Sequence, residues 1–362
     1  MNFPTRTHAF ANRQIQRGLS LIELMISITI GLLILAALTT LFVNQSRARN
    51  ELDKSNRMID NGRYALELLS GNLRLAGFYG NYAPSGAPTA TPDPCDLATI
   101  TNPATNLNVL FHHVQGYDAA AAASQIASLP ASCGFTYTAG SATTLKPGSD
   151  ILVLRRASTP PVAAANATVS PNSANTVYLQ VSNCPTDTVG YQIVPGSAGS
   201  TAFADFHKKN CTASGTDIGD GPADLRPFLV QAYFVSPDNN PGDGIPTLKR
   251  RELDPATGAF VTTPLVEGIE YMQIDYGLDA NADGAADSYI AAPGVADWPN
   301  IVSVRINMIA RNIEATTGYT DTKTYSLGLA GTYTPAAGDS YKRHAYTQVV
   351  RLVNPSSRRE VP

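Results

Sequence analysis

Charge is scarce in this chain of 362 residues. Asp, Glu, Lys and Arg together make up 15% of it and the net charge is −3. Binding to nucleic acid phosphates needs a basic excess, and none is present. Histidine is rare too, with five in all. His112 and His113 are adjacent but have no third ligand nearby in the sequence, so they read as solvated loop residues and not as a metal site. Several nucleophile, metal and nucleotide signatures are missing: GxSxG, HExxH, the P-loop, and GxGxxG on a strand-to-helix turn. An enzyme is therefore not expected. Only four cysteines occur, Cys95, Cys133, Cys184 and Cys211. None forms a CxxC pair, and the wide spacing argues against zinc.

Apolar sequence is concentrated near the start. Residues 1–18 carry Arg6, Arg13 and Arg17 and no acid. From Leu19 to Val43 the only charge is Glu23. As a helix this run spans about 37 Å, enough for a hydrocarbon core of about 30 Å. The basic residues precede it, so the N-terminus should stay cytoplasmic, with everything after Val43 exported. No small-x-small cleavage site follows, so ordinary signal-peptidase removal is not expected. In an exported domain, an even number of cysteines points to disulfides. Three pairings are possible. The sequential one, Cys95–Cys133 with Cys184–Cys211, is preferred, and four buried free thiols are the alternative.

Glu23 is the anomaly, because a carboxylate in an apolar segment costs about 2.5–3.5 kcal/mol on insertion scales. It is either solvated at the cytoplasmic edge or matched to a positive group. Gly18 followed by Leu19-Ser20-Leu21-Ile22-Glu23-Leu24 resembles the class III signal of type IV prepilins and pseudopilins. That resemblance implies cleavage after Gly18 by a membrane prepilin peptidase and methylation of the new amine on Leu19. It also implies a role for Glu23, at mature position five, in registering neighbouring subunits. Leu19 departs from the Phe or Met usual in the family but keeps the position apolar.

No proline interrupts Asn44 to Ala76. Leu52, Ile59, Leu66, Leu69, Leu73 and Ala76 recur at helical spacing, which predicts one helix from Leu19 to about Ala76, ending at Gly77-Phe78-Tyr79-Gly80. Gly31, Gly62 and Gly71 are candidates to soften it. Residues 78–149 are rich in Pro, Ala, Thr and Asn and read as a loop-rich insert. From Asp150 the period becomes two. Strands are predicted at 151–155, 176–181, 228–235, 247–253, 265–276, 301–309 and 346–352, separated by turn signals such as Asp283-Gly284. The fold class is thus α+β and pilin-like: a leader (1–18), a transmembrane half-helix (19–43), an amphipathic half-helix (44–77), the insert (78–149) and a mainly antiparallel β-rich head (150–362).

Asp279-Ala280-Asn281-Ala282-Asp283-Gly284-Ala285-Ala286-Asp287 matches the start of an EF-hand-type loop. Asp279, Asn281, Asp283, the Ala285 carbonyl and Asp287 would be the ligands of a Ca2+ ion. Ile290 stands where the bidentate Glu belongs, so calcium is weighed against a solvated hairpin turn. The Asp238–Gly244 loop reads as a turn.

Several stretches resemble the PilW family of minor pilins, itself similar to the J-type pseudopilins of type II secretion. They are Gly62 to Leu69, Leu73 to Phe78, Asp243 to Arg250, Leu265 to Glu270, Val304 to Arg311 and Val349 to Asn354. The resemblance implies a minor pilin that primes pilus assembly in a tip complex. Its partners would be the prepilin peptidase, other minor pilins, the assembly platform, the inner membrane and a tip adhesin. A type II secretion pseudopilin is the nearer alternative; a membrane-anchored calcium-binding adhesin is the more distant one.

Overall fold

The computed structural model describes residues 18, 20–162, 170–215 and 217–360. The leader before Gly18, and Leu19 itself, lie outside the described residues. The chain divides into two compact units between Asp53 and Lys54. Helix α1, Leu21–Leu75, crosses that division. In the first unit its apolar side chains are exposed, Leu21, Leu33 and Phe42 by 70% or more. Its mean hydropathy over the most apolar window is 2.5, the composition of a helix able to cross a membrane. The helix stops as expected: Gly77 adopts φ +72 just past its end and donates its N–H to the Arg155 carbonyl.

The second unit holds two main sheets. The first contains β1 (Val114–Tyr117), β2 (Ile151–Ala157), β3 (Val177–Val181), β4 (Tyr191–Pro195), β5 (Leu225–Ser236), β6 (Thr247–Leu253) and β7 (Phe260–Glu267). Its path runs β1-β2-β5-β3-β4, with β6 on β5 and β7 on β6. The second sheet contains β8 (Ile269–Leu278), β9 (Ser288–Ile290), β10 (Ile301–Arg311) and β13 (Arg343–Arg351), in the order β13-β10-β8-β9. The short pair β11 (Tyr325–Ser326) and β12 (Thr332–Tyr333) stands apart. Among the described residues every strand ladder is antiparallel. Gly268, at φ +79, splits the predicted 265–276 strand into β7 and β8.

Alternation along β2 explains why its sequence is almost continuously apolar. Leu152 and Leu154 enter one core with Met58, Ala65, Leu69 and Leu73 of α1 and with Met272, Ile274, Val304 and Ile306 of the second sheet. Ile151 and Val153 enter another core on the opposite face. That second core is closed by Ile100, Val109, Leu110, Phe135 and Leu145. The 78–149 segment is therefore not a loop-rich surface excursion. It contributes α2 (Leu97–Thr101), α3 (Asn106–Phe111) and a sheet strand, and it buries the face of the first sheet that α1 leaves open. Ala119 to Ala123 forms no helix, and Ala119 is fully buried.

The buried stripe of α1 also differs from expectation. Met58, Gly62, Ala65, Leu69 and Leu73 are buried, Ile59 and Leu66 pack at its border, and Leu52 is exposed. Small residues set this face. A Cβ at Gly62 would overlap the ring of Tyr346, whose hydroxyl donates to the Ile59 carbonyl. Gly62 is thus a contact point for β13 and not a softening of the helix. Gly62→Val is expected to lower stability by about 1–3 kcal/mol through overpacking. Thermal unfolding measures this, and Tyr346→Ala in the same chain should recover part of the loss.

Candidate processing and assembly site

At the start of α1 the sequence Ser20-Leu21-Ile22-Glu23 forms a reciprocal cap. Ser20 Oγ accepts from the Ile22 N–H at 3.3 Å, and Glu23 Oε2 accepts from the Ser20 N–H at 2.9 Å. This is the S-x-x-E capping box, in which two orphan backbone donors of a helix start find side-chain acceptors. The signal lies in the motif itself, where Ser20 stands three residues before Glu23. Gly18 is exposed, and nothing lies within 4 Å of a Cβ built on it.

The cysteines pair sequentially, Cys95 with Cys133 and Cys184 with Cys211. Cα separations are 5.0 and 5.1 Å, within the usual range. The first bridge sits inside the second core. Among the described residues, Asp93, Cys95 and Cys133 are the only group of three His, Cys, Asp or Glu ligand atoms within 4.8 Å of one another. Two of the three are joined in that disulfide, so they offer no thiolate for a metal.

His112 and His113 are not solvated. Both are almost completely buried. His112 Nδ1 donates to the Asn108 carbonyl at 2.7 Å, and His113 Nε2 donates to the Ile301 carbonyl at 2.8 Å. Burial is the largest cause pushing both imidazoles down to about 3, so they stay neutral across the physiological range. Nearby Arg155 is also fully buried, with Nη1 on the His112 carbonyl at 2.8 Å and Nη2 on Gln115 Oε1 at 2.6 Å.

The Asp279 loop is built around an arginine. Asp279 accepts from the N–H groups of Ala282 and Gly284, at 2.6 and 2.9 Å. Its Oδ2 also accepts from Arg359 Nε at 2.6 Å, and its carbonyl from Arg359 Nη2 at 3.1 Å. Arg359 lies at the end of α4, Val353–Arg359, whose Ser356 hydroxyl donates to the Gly284 carbonyl. Asn281 Oδ1 accepts from Asp283 N, Asp283 Oδ1 from Ala285 N, and Asp287 Oδ2 from Ala280 N. The oxygen expected to be the first calcium ligand thus already faces a guanidinium, which would repel a cation beside it. This arrangement does not fit calcium at Asp279. Millimolar calcium or a chelator should leave the thermal midpoint unchanged, whereas Arg359→Ala should lower it. A calcium-dependent midpoint with Arg359 intact would return the loop to a cation site.

Comparison with known proteins follows the same two ends of the chain. Residues 13–39 match the prokaryotic N-terminal methylation motif. Residues 232–354 match PilW, the type IV pilus-assembly protein W family. Over these two stretches the chain is similar to PilW-type pilins. The PilW match begins within β5 and ends in α4, so it includes all of the second sheet. The 78–149 segment lies outside it. Searches of curated proteins and of solved structures found no match. The two matches support a minor pilin of the type IV pilus, and the N-terminal motif implies cleavage by a prepilin peptidase.

Proposed function

We propose that this pilin is cut after Gly18, methylated on Leu19, held in the inner membrane by the first unit's helix with its head outside the cytoplasm, and drawn into a minor-pilin tip complex that primes fibre growth. The observation that carries this reading is the joining of Gly18 and Glu23 to an exposed apolar helix. The three leader arginines favour a cytoplasmic N-terminus, and two disulfides suit an oxidising compartment for the head.

The capping box adds a step. In the single chain Glu23 is satisfied by its own Ser20 N–H. On assembly the carboxylate exchanges that neutral donor for the methylated ammonium of a neighbouring subunit. A charge-assisted bond is roughly twice as strong as a neutral one, and it forms among helices where water is scarce. The partners in this reading are the peptidase, the other minor pilins, the assembly platform and a tip adhesin.

Two measurements test it. The intact mass of the mature protein should correspond to a chain starting at Leu19 with one added methyl group. Glu23→Ala should still be cut but should enter fibres at least tenfold less than the parent, read by immunoblot of sheared pili. Undiminished incorporation would remove the registering role of Glu23.

A further inference from the structure

A cavity of about 290 Å³ opens between the 78–149 segment and the C-terminal helix α4. Its walls include Leu110, Phe111, His113, Pro299, Arg358 and Arg359, and no aspartate or glutamate lines it. Most of these residues fall outside the family match.

The charges around it do not cancel. Arg359 is neutralised by Asp279. Arg358 has no ion pair among the described residues: its Nη1 donates to the Gly77 carbonyl at 3.1 Å and its guanidinium lies 5.8 Å from the Tyr79 ring centroid. Burial disfavours that cation. Among the described residues Arg155 has neutral acceptors alone, and Tyr79 Oη, His112 Nε2 and Arg155 Nε are buried without hydrogen-bond partners. A half-buried guanidinium facing a cavity without acids is a receptor for an anion. Proline, leucine and phenylalanine walls suit an apolar body attached to it.

We propose that this cavity binds an organic carboxylate of amino-acid size, its carboxylate on Arg358 and its apolar group against Phe111 and Pro299. The assignment does not depend on the pilus reading.

The sole tryptophan of the chain, Trp298, is the natural reporter. It adjoins Pro299 in sequence and its ring centroid lies 6.0 Å from that of His112. The mature full-length protein in detergent is titrated with N-acetylphenylalanine, with its uncharged amide, and with inorganic phosphate, at constant ionic strength. The expected result is a saturable change in Trp298 fluorescence with the carboxylate and an at least tenfold weaker response to the amide. The response should be lost in Arg358→Gln and kept in Arg358→Lys. Equal responses to carboxylate and amide in the unaltered protein would overturn the proposal whether or not the variants fold. So would a response that survives Arg358→Gln, or phosphate matching the carboxylate, which would leave the apolar walls without a role.

Discussion

Gly18→Ala is expected to leave a full-length, unmethylated precursor in the membrane, with mature protein reduced at least a hundredfold and no incorporation into fibres. The structure separates this effect from folding. Gly18 is exposed, it precedes the first turn of α1, and among the described residues a methyl group on it would meet nothing. The chain itself therefore tolerates a side chain at position 18, and a requirement for glycine must come from the enzyme that reads it. The variant head should unfold at the same temperature as the parent. Normal cleavage, seen as a mature sequence starting at Leu19, would remove the processing site. A lowered midpoint would mean that Gly18 has a structural role after all.

The second large effect concerns Asp150, which joins the two main sheets. Its N–H donates to the Met272 carbonyl, while its carboxylate accepts from Ala119 N and Ile274 N, each bond at 2.8 Å. Asp150→Ala would leave two buried backbone donors without acceptors. At about 1–3 kcal/mol for each, the head should lose roughly 2–6 kcal/mol. Burial, more than any other influence, pushes this carboxyl well above its usual range; the two N–H bonds oppose the shift, and the nearby Asp118 and Asp275 add to it. The sign then follows from linkage. Below the ordinary aspartate pKa the raised folded value contributes fully to stability. That contribution is lost as pH rises through the folded value. The difference between parent and Asp150→Ala should therefore be largest near pH 4 and shrink toward neutrality, as denaturant titrations at several pH values would show. A gap that widens with rising pH would mean that Asp150 is held as an ion.

Legibility in the sequence followed the physics of each feature. The long helix, its stop at Gly77 and the antiparallel strands were readable because periodicity and turn chemistry are local. The Cys95–Cys133 and Cys184–Cys211 pairing was anticipated only as the preference among three. The second core was not readable. Its insert residues are scattered among Pro, Ala and Thr with no period, and they become a layer only when β1 pairs with β2. For the same reason His112 and His113 read as loop residues in the sequence, and nothing there marks Arg155 as buried. Arg343 is another case: fully buried, it donates to Glu270, Asp321 and Asp339 across up to 73 positions of sequence. The Asp279 loop is the opposite case. Its ligands are local and visible, whereas the guanidinium that faces them comes from 80 positions further on.

The clasp formed by α4 bears on when the head can finish folding. Asn354 Nδ2 donates to the carbonyls of Arg74 and Ala76, and Arg358 donates to that of Gly77, so the end of α1 is tied off by contacts spanning 278 to 281 positions. Such contacts are the most costly in loop-closure entropy and close late. A chain emerging N-terminus first can assemble both sheets while the α1 exit still lacks these partners. Residues 353–359 leave the ribosome after both sheets, so docking of α4 is the step that closes the α1 exit.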